Sequence, residues 1–169
     1  MVPVTDGRLS PRLFRDVLST VPTGVVVITA VEDGGPVGLV VGTFTSVSLD
    51  PPLVGFLPAA TSTSFPRVQA AGSFCANVLT FEQQDICRTF AASGGDKFAG
   101  LSWSPSPITG SPVLDGVAAW IDCTITALHE AGDHLIVIGA VKDVGVADSS
   151  AVPVPSSLVF YRGGYGSLH

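Results

Sequence analysis

The apolar and polar positions of the first sixty residues follow the period of a helix and then that of strands. In SPRLFRDVLSTV, Ser10 can cap a helix, Pro11 suits its first turn, and apolar residues recur on one stripe as far as Val21. The β-branched run TGVVVITA (23–30), the turn EDGGP and the run VGLVVGTFTSVSL predict a hairpin of two strands. The prolines of DPP interrupt pairing because proline has no N–H to donate, and LVGFL resumes as a strand.

The rest of the chain predicts further short elements and then two long strands. TSTSFPRVQAAG predicts a short helix, SFCANVL a strand, and TFEQ the start of another helix, because Thr80 and Gln83 have capping-box spacing. The helix is expected to end at SGG, and the proline-rich segment 103–116 is expected to be an ordered loop. VAAWIDCTITALHE and DHLIVIGAVKDV predict a long hairpin, and SLVFYR predicts a short final strand before GGYG.

This pattern predicts a mainly β protein, a β-barrel with a few short helices, because the strands are joined by hairpins and not by helical crossovers. A chain of 169 residues has the size of one domain, with its core at about residues 12–166 and a flexible segment at 1–9. Several strands are apolar on both faces, as in HLIVIGAV. Such strands need cover on both sides, which a barrel interior and a subunit interface would provide.

The composition of the chain indicates which partners it can bind and in which compartment it is found. Hydrophobic residues make up 46% and charged residues 13%, which favours a homo-oligomer. The net charge of −6 argues against binding to nucleic acid or to an acidic membrane surface. Three cysteines without CxxC spacing indicate reduced thiols and a cytoplasmic protein. No stretch approaches the roughly 18 apolar residues of a membrane span.

The usual catalytic and phosphate-binding motifs are missing from the sequence. It contains no GxSxG, no P-loop and no GxGxxG that opens a helix. His129 and His134 flank one turn, but no third metal ligand has suitable spacing. The ribbon GTFTSVSLDPP offers hydroxyls for a planar heteroaromatic ligand, or these are ordinary strand residues. The segment TSTS at 61–64 opens a helix, where it could bind phosphate or simply cap the helix.

Seven segments resemble the short-chain flavin reductases in sequence and in order. They are VPTGVVVIT, GTFTSVSLDPPLV, STSFPRV, FCANVL, FAASGGDKFAG, GSPVLDGVAAWIDC and GDHLIVIGAV. The resemblance covers about residues 12–166, and SVSLDPPLV and the GDH before an apolar strand are its more specific marks. It implies a flavin reductase-like split β-barrel, usually a homodimer, in which NADH or NADPH reduces FAD or FMN. The reduced flavin then passes to a separate flavin-dependent monooxygenase.

The resemblance also implies roles for individual residues. His134 would face the nicotinamide nucleotide, Pro22 and Thr23 would lie near the flavin ring, and Tyr165 would lie near the same pocket. The main hydrogen bonds and ribityl contacts would come from Gly42, Thr43, Phe44, Thr45, Ser46 and Ser48. The phosphate would be held by Ser62, Thr63 and Ser64, with Lys97 and Phe98 nearby. Gly42 departs from the pattern, because many relatives have a hydroxyl there.

Two other functions remain open at this point. The same barrel could be a flavin carrier or redox sensor without turnover. It could also be a split-barrel oxidase of a phosphorylated small molecule, although Arg67, Arg88 and Lys97 offer few cations for such a substrate.

Overall fold

The computed structural model describes residues 9–147 and 156–167. Its helices are α1 (Pro11–Leu18), α2 (Phe65–Ala71) and α3 (Gln84–Ala91), and a 3-10 turn (Phe81–Gln83) precedes α3. The strands are β1 (Thr23–Gly24), β2 (Val26–Glu32), β3 (Gly35–Val41), β4 (Thr45–Leu49), β5 (Pro52–Phe56), β6 (Ser73–Val78), β7 (Trp103–Pro105), β8 (Pro112–Leu114), β9 (Ala119–Ala131), β10 (His134–Val146), β11 (Leu158–Tyr161) and β12 (Gly164–Ser167). The expected flexible segment 1–9 lies, apart from Leu9, outside the described residues.

Seven strands form one sheet in the order β3-β2-β6-β9-β10-β5-β4, and every neighbouring pair is antiparallel. The sheet is not closed, since β3 and β4 are its two edges. Val41 ends β3 and Thr45 begins β4, so the edges lie no more than about 14 Å apart at that point. The sheet must therefore curl until its edges approach each other, which is the split barrel that the sequence predicted.

The interior of the barrel is filled by large apolar side chains. Phe56 lies between Phe65 and Phe74 in edge-to-face contacts, with ring centroids 6.2 and 5.1 Å away. Phe65 belongs to α2, which with Val68 buries its apolar side against the sheet. A second apolar cluster lies under α3 and includes Cys87 and Phe90. The barrel is thus a packed core, and any ligand must bind on its outside.

Three predicted elements differ from the structure. The run 23–30 divides at Val25: β1 pairs with β11 in a small sheet with β12, whereas β2 belongs to the barrel. The run that begins at Val37 breaks at Gly42, because β3 and β4 are opposite edges of the sheet. The loop 103–116 contains the short hairpin β7–β8, whose ladder ends where Pro105 faces Pro112. The first two differences concern pairing between distant parts of the chain, which local apolar pattern does not encode. The third is a local hairpin in a segment whose prolines and glycines favoured a loop.

Helix α1 packs none of its residues into the core. Its apolar side chains Phe14, Val17 and Leu18 are 49%, 56% and 50% exposed. Ser10 caps its first turn by accepting a hydrogen bond from the N–H of Leu13 at 3.4 Å, as the sequence predicted. Among the described residues, no helix is long and apolar enough to cross a membrane.

Candidate functional site

Three cavities join into one groove along β3 and α3. The first, the apolar pocket, has a volume of about 180 Å³ and is lined by Thr23, Val25, Val40, Val41, Gly42, Cys87, Ala91, Phe160 and Tyr165. The second, the hydroxyl cleft, has a volume of about 250 Å³ and is lined by Leu39, Val40, Ala59, Thr61, Ser62, Thr63, Ser64, Phe90, Ala91, Ala92, Ser93 and Lys97. Val40 and Ala91 line both, so the two cavities adjoin.

The third cavity, the glycine cleft, continues the groove past Lys97. It has a volume of about 460 Å³ and is lined by Gly34, Pro36, Val37, Gly38, Thr63, Ser64, Arg67, Gly94, Gly95, Asp96, Lys97 and Phe98. Thr63, Ser64 and Lys97 also line the hydroxyl cleft. The groove therefore runs from an apolar end, past hydroxyls and an ammonium group, to a wider polar end.

The hydroxyl cleft holds a cation close to its serines. The ammonium group of Lys97 donates to the hydroxyl of Ser64 at 3.4 Å and to the carbonyl of Phe90 at 3.0 Å. Burial lowers the pKa of Lys97. Ser62 accepts from the N–H of Phe65 at 3.1 Å and so caps the chain before α2, whereas Ser64 makes no such bond. Capping thus accounts for Ser62, and Ser64 and Lys97 form a separate pair of donors.

The apolar pocket explains the glycine at position 42. A Cβ atom built on Gly42 would lie 2.9 Å from the hydroxyl oxygen of Thr23, closer than side chains normally approach. Thr23 reaches this place because β1 pairs with β11, which also carries Phe160 into the pocket wall. The hydroxyl of Thr23 therefore occupies the space that a side chain at position 42 would fill. The pocket therefore still has a hydroxyl beside position 42, and it comes from Thr23 on β1.

The ribbon that follows Gly42 lies outside the three cavities. The hydroxyl of Thr43 accepts from the N–H of Leu57 at 2.9 Å, and that of Thr45 donates to the carbonyl of Ser46 at 3.2 Å. Phe44 packs against the barrel core, and Ser48 belongs to edge strand β4. The hydroxyls of Thr43 and Thr45 therefore bond to the backbone, and a flavin contact from this ribbon stays a prediction.

His134 lies beside the groove and lines none of its three cavities. Its Nδ1 atom is 2.7 Å from a carboxylate oxygen of Asp133, and its side chain is 42% exposed. This hydrogen bond and the charge of His134 lower the pKa of Asp133. His134 forms a β-bridge with Ala59, which lines the hydroxyl cleft. The backbone of His134 is therefore paired with a residue of the groove, and its side chain is partly exposed.

Most of the other predicted site residues line the groove, and Pro22 does not. It brings Thr23, Gly42 and Tyr165 to the apolar pocket, and Ser62, Thr63, Ser64, Lys97 and Phe98 to the two clefts. Pro22 instead lines a separate cavity of about 470 Å³ with Thr20 and Tyr161. Phe98 is mostly buried against Phe90, with ring centroids 5.2 Å apart.

Sequence reasoning missed several groove residues, among them Cys87 and Ala91 on α3, Val40 and Phe160. The signal for Cys87 was available. Cys87 and Ala91 are four residues apart on α3, and Cys87 and Phe90, three apart, are its buried residues, a spacing that places side chains on one side of a helix. No pattern in the sequence showed that this side would meet β12.

The chain is similar to known proteins over nearly its whole length. Residues 18–169 match the family model described as the flavin reductase like domain. A flavin reductase of Pseudomonas putida is 50% identical, over 98% of this chain and 94% of its own length. HsaB, the reductase subunit of a flavin-dependent monooxygenase of Mycobacterium tuberculosis, is 46% identical, over 96% of this chain and 84% of its own.

A solved structure shows the same fold. The NADH:FAD oxidoreductase SgcE6 of Streptomyces globisporus C-1027 superposes with a TM-score of 0.87 at 30% identity, over 100% of this chain and 99% of its own. The sequence motifs, the split barrel, the family model and these relatives all point to one assignment. The chain belongs to the flavin reductase family.

Proposed function

We propose that the chain is an NAD(P)H-dependent flavin reductase that supplies reduced flavin to a separate monooxygenase. The observation that carries this proposal is the groove in which the apolar pocket adjoins the hydroxyl cleft, with Lys97 at the polar end. A flavin has the same order of groups, with an apolar ring system, a ribityl chain and a phosphate. The names of the relatives, a flavin reductase and a monooxygenase reductase subunit, support the same activity.

The donors of the groove fit a flavin phosphate. Ser64 offers a hydroxyl and Lys97 a cation at one point of the groove, and charge-assisted hydrogen bonds of this kind are the strong ones. At the other end, Val40, Val41 and Phe160 provide apolar contact and Thr23 provides one hydroxyl. The bound flavin supplies the hydride-accepting chemistry, and the protein orients the two rings and excludes water.

The larger flavin, FAD, is the better fit. The glycine cleft begins where the phosphate site ends, because Ser64 and Lys97 line both cavities. Its volume of about 460 Å³ lies within the range of small-molecule sites, roughly 300–1,000 Å³. Arg67 and Lys97 can serve a second phosphate there, and the carboxylate of Asp96 can accept from ribose hydroxyls. We therefore propose that this cleft takes the adenosine half of FAD.

His134 is the proposed contact to the nicotinamide nucleotide. It lies beside Ala59 at the edge of the hydroxyl cleft and is partly exposed, so a second ligand could reach it while flavin fills the groove. Its charged neighbour is Asp133, a carboxylate that would repel the extra phosphate of NADPH. This favours NADH as the hydride donor.

A homodimer is the proposed assembly. The exposed apolar side of α1, formed by Phe14, Val17 and Leu18, is the kind of surface that a second subunit covers. Light scattering on purified protein would measure the molecular mass and decide this point.

The test of the activity is steady-state oxidation of NADH, followed at its absorbance maximum, with FAD or FMN added to the purified chain. We expect continuous oxidation that requires added flavin. Tight flavin binding without oxidation of NADH or NADPH would instead indicate a carrier or sensor, and the proposal would then be wrong. Adding a flavin-dependent monooxygenase and its substrate would test whether the reduced flavin can be passed on.

A further inference from the structure

Two side chains from distant parts of the sequence meet in the wall of the apolar pocket. Cys87 lies on α3 and Tyr165 on β12, and the thiol sulfur is 3.2 Å from the phenol oxygen. Cys87 is 4% exposed, and both residues line the pocket. The cysteine is therefore fixed in the core, while the tyrosine ring faces the space where the flavin ring is proposed to bind.

Tyr165 is held from three directions. Its ring makes an edge-to-face contact with Phe160 at 5.3 Å, and the guanidinium carbon of Arg88 lies 5.5 Å from its centroid. The third contact is the hydrogen bond to Cys87. This bond, followed by burial, raises the pKa of Tyr165, whereas Arg88 lowers it. Ring contacts alone permit the phenol to slide or tilt, and the hydrogen bond at its tip fixes its direction.

We propose that Cys87 is a positioning residue for flavin binding, acting through its hydrogen bond to Tyr165. This inference rests on the proposed flavin reductase function. The apolar pocket is small, about 180 Å³, so a shift of one wall changes how well a planar ring fits. The wall contacts the flavin equally before and during hydride transfer, so losing its position raises the KM for flavin and leaves kcat nearly unchanged.

The matched variants Cys87→Ser and Cys87→Ala test the hydrogen bond separately from the loss of volume. Serine and alanine are close in size, but only serine keeps a group that can bond to the phenol. We expect Cys87→Ala to raise the flavin KM about fivefold, the effect of one lost neutral hydrogen bond. We expect Cys87→Ser to restore the KM to within about twofold of the parent. Equal KM values for the two variants would overturn the proposal.

A double-mutant cycle with Tyr165→Phe shows whether Cys87 acts through the tyrosine. In the Tyr165→Phe background, Cys87→Ala should raise the flavin KM no further, and an additional increase would contradict the proposed route. The control is Cys123→Ala, which removes a thiol buried in the barrel core outside the groove. We expect Cys123→Ala to keep the parent flavin KM.

Ultraviolet titration of the phenol gives a readout independent of turnover. With Tyr161→Phe as background, Tyr165 is the remaining tyrosine. We expect Cys87→Ala to move the pKa of Tyr165 down toward its ordinary value, because the bond that raises it is gone. An unchanged titration would show that the bond is absent in solution. A parent protein that fails to oxidise NADH would refute the proposed function instead, so the two failures are distinguishable.

Discussion

The ammonium group of Lys97 donates to the hydroxyl of Ser64 at 3.4 Å, where the hydroxyl cleft meets the glycine cleft. Of the two cations that line these cavities among the described residues, Lys97 lines both, whereas Arg67 lines the glycine cleft and is paired with Glu32. A flavin phosphate at this point would replace the serine hydroxyl as the partner of the ammonium group.

The first prediction concerns this cation. Lys97→Met keeps the length of the side chain and removes its charge, and we expect the affinity for FMN to fall by roughly 10- to 100-fold, as for the loss of a charged hydrogen bond. Riboflavin has no phosphate, so its affinity should change less than about twofold. Fluorescence titration measures both. The control is Lys142→Met, an exposed lysine on β10, and an equal loss for riboflavin and FMN would contradict the phosphate role.

The second prediction concerns pH. Burial lowers the pKa of Lys97, so the free protein loses this proton at a lower pH than an exposed lysine does. Between the two pKa values the unfolded chain binds more protons than the folded chain. Burying the charged Lys97 therefore lowers the free energy of unfolding at neutral pH, and this loss shrinks as pH rises and the lysine is neutralised in both states. For binding, the affinity for FMN should fall as pH rises from neutral toward the ordinary pKa of lysine, about 10.4, whereas that for riboflavin should change less.

Lys97→Arg separates this titration from other effects of pH, because arginine keeps its proton throughout that range. Its FMN affinity, referred to that of riboflavin at each pH, should therefore stay constant. If the variant shows the same decline as the parent protein, another group is responsible.

The third prediction concerns the nucleotide. His134→Ala should lower kcat/KM for NADH by about tenfold or more, because the side chain is proposed to contact the nucleotide phosphate or nicotinamide. The affinity for flavin should be unchanged, since His134 lies outside the groove cavities. His129→Ala is the matched control on the facing strand β9, where His129 is exposed and pairs with Ile136. Full activity of His134→Ala would show that this histidine does not contact the nucleotide.

The fourth prediction concerns the choice of flavin. Arg67→Gln removes a cation from the glycine cleft, and we expect it to weaken FAD about tenfold while FMN changes less than about twofold. Arg12→Gln changes an exposed arginine of α1 and should leave both affinities as they are. A parent protein that binds the two flavins equally well, with no selective effect of Arg67→Gln, would contradict the placement of the adenosine half.

The sequence predicted the barrel better than the groove. The hairpin β9–β10 and the capping box at Thr80, whose N–H donates to the Gln83 side chain at 3.0 Å, depend on residues close together in the chain. The apolar pocket depends on Thr23, Cys87 and Tyr165, which come together only because β1 pairs with β11 and α3 meets β12. Family resemblance supplied Thr23 and Tyr165 as candidates. Helical spacing places Cys87 on the apolar side of α3, but the contact between this side and β12 is long-range and was visible only in the fold.

The fifth prediction concerns a buried carboxylate that holds the loop between β7 and β8. Asp122 is 0% exposed and accepts hydrogen bonds from the backbone N–H groups of Ile108 and Thr109 at 3.1 and 3.0 Å, and from the hydroxyl of Thr109 at 2.6 Å. Burial, and after it the charge of Asp122, raises the pKa of Cys75 and that of Cys123 to about 12. These thiols therefore stay protonated beside it.

Asp122→Asn keeps the shape of the side chain but removes its charge. The amide oxygen can still accept from the two backbone N–H groups, while its NH₂ group faces the hydroxyl of Thr109, which must turn to accept. Exchanging charged for neutral hydrogen bonds should lower the free energy of unfolding by about 1–3 kcal/mol. Urea denaturation measures this change. The control Asp16→Asn alters an exposed ion pair of α1, with Arg12 3.9 Å away, and should cost less than about 0.5 kcal/mol. If both variants unfold at the same urea concentration as the parent, the carboxylate does not stabilise the loop, and the hydroxyl chain from Thr109 to Ser111 must hold it alone.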